Sequence, residues 1–236
     1  MVNQQHHAQG LGLRSIRVDS RPPRPPNGVL RSFQHAGRGL LHTIVCQRNM
    51  KAHVVSAILV GLVGSGIRLG LAEDVTLLFC VLLVFFAEIL NTALEALVDL
   101  HTEAFDERAR VAKDAAAAGV LVLSIGTILI FGAVLLANWR IIAGAGQQIA
   151  RQAMAGVPLT AVAAGLLWGA RRRWQLDLAM TIAGLVLLAA LSTWTANWVF
   201  TAVTAGLFAT CVAAARYRLT GGSGVPIQAG SGMQTR

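Results

Sequence analysis

Six apolar runs follow one another along the chain, each close to the roughly 20 residues that a helix needs to cross a bilayer. They predict transmembrane helices at 53–72, 75–100, 115–138, 153–170, 177–195 and 197–215. The preceding segment 29–50 mixes an apolar face with Arg31, Arg38 and Arg48. That mixture predicts a helix lying in the membrane interface, with a plain cytoplasmic helix as the alternative. The pattern therefore predicts an all-α membrane protein.

Composition and charge agree with this interpretation. Of the 236 residues, 55% are hydrophobic and only 13% are charged, too apolar a balance for an ordinary soluble domain. Seventeen of the twenty Lys and Arg residues lie before the first span, after spans two and four, and in the C-terminal tail. Because positive charge marks the cytoplasmic side, both termini are predicted to be cytoplasmic. The net charge of +9 is thereby explained by topology and anionic lipid, and no nucleic-acid partner is expected.

Changes in composition divide the chain into five regions. The polar, Pro-rich segment 1–28 has no apolar core of the kind found in signal peptides, which predicts a disordered tail. Glycines and glutamines at 140–152 predict a flexible joint. This joint would separate a membrane domain at 29–139 from a transmembrane extension at 153–216, and a flexible tail would follow at 217–236.

Span two carries a polar stripe. At about 100° per residue, its polar side chains share one face of the helix: Glu88, Asn91, Thr92, Glu95 and Asp99. A carboxylate within a span costs at least about 2.5 kcal/mol, so these groups are expected to face protein or water and to have a function. Hydrogen bonding between helices is the structural alternative.

Nine of the eleven acidic residues lie between positions 73 and 114, and the stripe leads into this cluster. In the predicted topology its cytoplasmic end adjoins the loop that precedes Lys113 and Asp114. Acidic side chains at a cytoplasmic water boundary, with a lysine close by, suit Mg²⁺ and phosphate better than an ion pathway. No Gly-rich phosphate loop and no His/Cys metal motif occurs in the sequence.

The run from Glu88 to Asp99 has the pattern E-x-x-N-T-x-x-E-x-x-x-D, and Ala112-Lys113-Asp114 follows it. Together they closely resemble the prokaryotic diacylglycerol kinase family, which includes the undecaprenol kinases. Residues 32–40 and 48–53 resemble the family's interfacial helix and the entry to its first span. The resemblance covers about residues 29–138. It implies a three-span kinase domain with an N-terminal surface helix, which is typically trimeric and lies in the bacterial inner membrane.

The resemblance also implies a function, namely transfer of the γ-phosphate of ATP, with Mg²⁺, to the hydroxyl of diacylglycerol or undecaprenol. Glu88 would be the general base, and Glu95 would bind Mg²⁺ with Gln47. Residues implied to contact ATP are His35, Asn91, Glu95, Lys113 and Asp114. Residues implied to contact the lipid are Asn49, His53 and Glu88.

Three positions depart from the family pattern. Gln47 replaces a metal-binding glutamate, His35 an aromatic residue, and Asp106 a histidine in the loop after span two. The loss of charge at Gln47 leaves open a second hypothesis, a catalytically impaired membrane scaffold derived from the kinase. A proton or ion carrier is a third, but spans one and three offer few polar partners. The extension contains no histidine, which argues against the lipid phosphatase domain that some relatives carry.

Overall fold

A computed structural model describes residues 28–101, 106–169 and 174–220, and within these ranges every regular element is a helix. The predicted all-α fold class is confirmed. Residues 1–27, 102–105, 170–173 and 221–236 lie outside the described residues, and with them most of the tails predicted at 1–28 and 217–236. The helices are α1 Val29–Cys46, α2 Arg48–Gly66, α3 Leu71–His101, α4 Glu107–Ala137, α5 Trp139–Gly144, α6 Gly146–Trp168, α7 Trp174–Thr193 and α8 Trp198–Leu219.

Helix α1 corresponds to the predicted interfacial helix, and it ends earlier than predicted. A single extended residue, Gln47 (φ −89°, ψ 124°), ends α1 and begins α2. Near its start α1 leaves Leu30 and Phe33 exposed, while Ile44 near its end is buried in the core. The helix is therefore anchored at its C-terminal end, next to the entry of α2.

Among the described residues, five helices are long and apolar enough to cross a membrane: α3, α4, α6, α7 and α8. The predicted first span corresponds to α2, whose polar first turns keep it out of this group. However, α2 runs antiparallel to α8. The carbonyl of Ser65, at the end of α2, accepts a hydrogen bond of 2.7 Å from the Ala196 amide just before α8. Helix α2 packs alongside α8 and has 19 residues, which make roughly 28 Å of helix. This packing supports the prediction of six crossings.

The structure differs from the predicted flexible joint at 140–152. These residues belong to α5 and α6, with only Ala145 between the two helices. Backbone amides and carbonyls near lipid must find partners within the protein, and helix satisfies them where an open loop would not. Helices α6 and α8 then share one core with α2, in which Ile58, Leu159 and Cys211 are fully buried. The extension thus packs directly on the first span.

Helices α3 and α4 form an antiparallel hairpin and have 31 residues each. At about 1.5 Å per residue each is roughly 46 Å long, more than the about 30 Å hydrocarbon core. Glu88 lies 17 positions after the start of α3, roughly 26 Å along it, so the polar stripe occupies the C-terminal part of α3. Asp106 begins α4 as its N-cap, accepting hydrogen bonds from the amides of Arg108 (2.7 Å) and Ala109 (3.1 Å).

Glycines allow α2 to approach its neighbours closely. A Cβ atom at Gly64 would lie 2.5 Å from the ring of Phe200 in α8, whereas one at Gly119 in α4 would meet nothing within 4 Å.

We expect Gly64→Ala to lower the free energy of unfolding by about 1–3 kcal/mol, because the added methyl overpacks the contact with Phe200. Gly119→Ala, the matched control, should leave it unchanged or raise it by up to about 1 kcal/mol, since alanine favours helix. Unfolding of the purified protein in detergent, followed by circular dichroism, measures both. Equal effects of the two substitutions would contradict the packing of α2 on α8.

Candidate functional site

The inner part of the polar stripe is buried. Only 1% of the Glu88 surface and 5% of the Asn91 surface are exposed. Neither carboxylate oxygen of Glu88, nor the Asn91 side-chain carbonyl, has a hydrogen-bond partner among the described residues. A buried carboxylate with free acceptor sites is costly to maintain, so it marks a position where an external donor can bind.

Glu88 and Asn91 line a cavity of about 270 Å³ between α2, α3 and α4, which we call the site cavity. Its other residues are Asn49, Ala52 and His53 from α2 and Ala117, Val120, Leu121 and Ser124 from α4. The three residues predicted to contact a lipid hydroxyl, Asn49, His53 and Glu88, therefore surround one space. The walls combine polar and aliphatic side chains, as a site for an amphiphile requires.

Ser124 was not among the residues predicted from the sequence. Its hydroxyl is buried, has no hydrogen-bond partner among the described residues, and belongs to the lining of the site cavity. A lone serine in an apolar span carries little signal, because serine is common at packed positions of membrane helices. Only the packing of α4 against α3 shows that Ser124 lines the same cavity as Glu88.

Glu95 lies one turn beyond Asn91 and accepts hydrogen bonds from two side-chain amides. The Asn91 amide donates to one carboxylate oxygen at 2.9 Å, and the Gln47 amide donates to the other at 3.2 Å. Gln47 can reach Glu95 because it lies in the extended break between α1 and α2, beside α3. The structure therefore brings together the two residues predicted to bind metal.

The donor set of this amide–carboxylate cluster, Gln47, Asn91 and Glu95, fits a hard cation. The described residues contain no group of three His, Cys, Asp or Glu side chains suited to a metal ion. Each amide nevertheless carries a carbonyl oxygen, and which end faces Glu95 is assigned from the hydrogen-bond network alone. The Asn91 carbonyl oxygen is without a partner. One carboxylate and two amide oxygens are ligands of the kind that Mg²⁺ prefers, although their total charge is only −1.

The remaining residues of the stripe have local roles. The Thr92 hydroxyl donates to the Glu88 carbonyl within α3 at 2.8 Å. Asp99 forms an ion pair with Lys113 of α4, which links the C-terminal part of α3 to the N-terminal part of α4. Of the five aligned residues, Glu88, Asn91 and Glu95 therefore form the candidate site. Thr92 and Asp99 instead make contacts within and between the helices.

The predicted ATP contacts fall into two groups. Asn91 and Glu95 lie at the site, whereas Lys113 pairs with Asp99, Asp114 accepts a 2.7 Å hydrogen bond from Arg110, and His35 is exposed on α1. Among the described residues, no hydrogen bond or ion pair joins these last three to Glu88 or Glu95. Their roles stay predictions.

Comparison with known proteins gives a consistent result for the first part of the chain. The model of the prokaryotic diacylglycerol kinase family matches residues 34–135. The undecaprenol kinase of Bacillus subtilis is 36% identical over 104 residues, which are 44% of this chain and 85% of that protein. The diacylglycerol kinase of a Synechocystis strain is 36% identical over 112 residues, which are 47% of this chain and 63% of that protein. No solved structure matches the chain.

We expect Glu95→Gln to weaken binding of a divalent cation at least tenfold, since it removes the only carboxylate of the amide–carboxylate cluster. Asp99→Asn is the matched control on the same helix. It should leave cation binding unchanged and alter the free energy of unfolding by less than about 1 kcal/mol, because its ion pair is partly exposed. Titration with Mn²⁺, followed by electron paramagnetic resonance, measures binding. A larger effect of Asp99→Asn would place the cation elsewhere.

Proposed function

The chain belongs to the prokaryotic diacylglycerol kinase family, and we propose that it transfers the γ-phosphate of ATP to the hydroxyl of diacylglycerol or undecaprenol. The observation that carries this proposal is the buried Glu88 carboxylate, which lines the site cavity with both oxygens free of hydrogen bonds from the described residues. A lipid hydroxyl at the cytoplasmic membrane boundary supplies the missing donor.

In this proposal Glu88 is the general base. The lipid hydroxyl enters the site cavity and donates its hydrogen bond to a Glu88 oxygen, with Asn49 and His53 beside it. As the hydroxyl oxygen attacks the γ-phosphorus, its proton passes to Glu88 and the bond between the γ-phosphorus and the departing ADP oxygen breaks. Burial keeps competing water from the carboxylate, and positioning supplies much of the rate acceleration in phosphoryl transfer.

We further propose that Gln47, Asn91 and Glu95 hold Mg²⁺ by their oxygens. When bound, the ion neutralises charge on the ATP phosphates. Glu95 lies two helical turns, roughly 10.5 Å, from Glu88 along the same face of α3, so ATP bound at Glu95 would extend its γ-phosphate towards the lipid hydroxyl. Asn91 lies between the two acidic residues and would orient the transferred group.

Lys113, Asp114 and His35 would contact the nucleotide from the cytoplasmic side. Lys113 now forms a partly exposed ion pair with Asp99, which is weak enough to exchange for an ATP phosphate. The Asp114 carboxylate, now paired with Arg110, would instead accept a hydrogen bond from a donor group of the nucleotide. We also propose a homo-oligomer, a trimer in line with the family, in the inner membrane of a bacterial cell with both termini in the cytoplasm. The membrane lipid and ATP are the other partners.

We expect Glu88→Gln to abolish lipid phosphorylation, with a loss of at least about a hundredfold, because the amide cannot accept the proton. Glu73→Gln, in the first turn of the same helix, should retain full activity. The measurement is transfer of labelled phosphate from MgATP to diacylglycerol or undecaprenol in proteoliposomes. The proposal fails if the unmodified protein phosphorylates neither lipid.

The second candidate function, a catalytically impaired scaffold, is favoured by Gln47. A neutral amide there leaves the proposed metal site with one carboxylate where the family has a second. The two candidates predict different responses to Gln47→Glu.

If the protein is an active kinase adapted to Gln47, Gln47→Glu should lower the Mg²⁺ concentration for half-maximal activity severalfold and change the maximal rate little. The added carboxylate strengthens cation binding once Mg²⁺ separates it from Glu95. Gln47→Leu, which cannot ligate, should raise that concentration. A silent protein that gains activity only with Gln47→Glu would instead support the scaffold. Activity measured across a Mg²⁺ titration distinguishes these results.

A further inference from the structure

A second cavity lies near the opposite ends of the helices that form the site cavity. It has a volume of about 440 Å³ and lies between α2, α4, α5 and α6, and we call it the distal cavity. Helix α2 packs closely on α6 and α8, whereas α4 packs mainly on α3. Helices α2 and α4 therefore make little direct contact with each other, and both cavities lie along the seam between them.

The two cavities share one face of α2 and one face of α4. On α2, Asn49 and Ala52 line the site cavity, while Leu59 and Val63 line the distal cavity. Spacings of three, four and seven residues keep all of them within about a quarter of a helical turn. On α4, Leu121 of the site cavity and Leu135 of the distal cavity are four turns apart and nearly in line. A groove along this seam would lead from Glu88 into the membrane.

The segment that follows the family match, from Trp139 into the start of the extension, builds the outer wall of the distal cavity. Trp139, Ile142, Ile149, Ala153 and Val157 all belong to its lining, and all lie outside the residues 34–135 that match the family. The lining is aliphatic or aromatic except for Gln152, whose buried amide group reaches towards the Ser65 carbonyl at 3.5 Å. The Gln152 side-chain carbonyl has no hydrogen-bond partner among the described residues, and it is the exception in a lining that otherwise suits hydrocarbon.

Depth decides which hydrocarbon fits. From His53 at the site cavity to Ile67 at the end of the distal cavity there are 14 residues, or roughly 21 Å of helix. Half of the hydrocarbon core is only about 15 Å, so a tail confined to one leaflet ends before the distal cavity does. A tail that fills both cavities must pass the bilayer midplane.

We propose that the distal cavity holds the far part of a long polyisoprenyl tail whose hydroxyl lies at Glu88. The proposal rests on the kinase function proposed above and assigns its substrate class: a long-chain isoprenoid alcohol, in preference to diacylglycerol. The extension then contributes to substrate selection by forming the wall against which the tail packs.

The test fills the distal cavity without touching the site. Ala153→Phe should raise the KM for undecaprenol about tenfold, a loss of contact comparable to misfitting one or two methylene groups in an apolar pocket. Activity on geraniol, which has an allylic hydroxyl and only two isoprene units, too short a tail to pass far beyond Leu59, should change by less than about twofold. Ala161→Phe is the matched control, since Ala161 is an exposed alanine of α6 outside the cavity, and it should affect neither lipid.

Each alternative gives a different result. Absence of phosphorylation of any lipid by the unmodified protein would defeat the kinase function itself. An active protein in which Ala153→Phe lowers activity on both isoprenols equally, or on neither, would overturn the tail site alone. A change in oligomeric state on chemical crosslinking of Ala153→Phe would also overturn it, because the cavity would then be occupied by a second copy of the chain. If Ala153→Phe lowers thermal stability, Ala153→Leu should show a smaller loss, again confined to undecaprenol.

Discussion

A carboxylate in a membrane-spanning helix is tolerated only where protein or water surrounds it, and this constraint organises the first four helices. Glu88 lies roughly 26 Å along α3, and it is covered by α2 on one side and α4 on the other. The break at Gln47 lets α1 remain at the surface while α2 descends beside Glu88. The interfacial helix, the first span and the α3–α4 hairpin are all arranged around this one side chain.

The second acidic residue, Glu95, is stabilised differently. It is only partly buried and is bracketed by the amides of Asn91 and Gln47. A glutamate at position 47 would set two carboxylates against each other whenever no cation lay between them, a repulsion that glutamine removes. With Gln47, the Glu95 carboxylate has hydrogen-bond donors even when no cation is bound. The same residue leaves the cluster with less negative charge to bind a cation.

Sequence reasoning predicted the features that depend on local pattern. Apolar runs indicate the spans, and helical periodicity places Glu88, Asn91 and Glu95 on one face. Periodicity does not show which neighbour each polar residue meets, so it could not separate Glu95, which binds the amides, from Asp99, which binds Lys113. The joint at 140–152 was mispredicted as flexible because its composition indicates a loop in water and the membrane environment favours helix. Packing of the extension on α2 depends on shape, which hydropathy does not describe.

The close packing of α2 against α8 has a consequence for biogenesis. Gly64 meets Phe200, a partner that is synthesised long after α2 has left the ribosome. Helix α2 is also the least apolar of the predicted crossings, so it enters the bilayer with little driving force of its own. We therefore expect α2 to reach its final packing only after α8 has been inserted. A nascent protein interrupted before α8 would present an incompletely seated first span to the membrane's quality-control proteases.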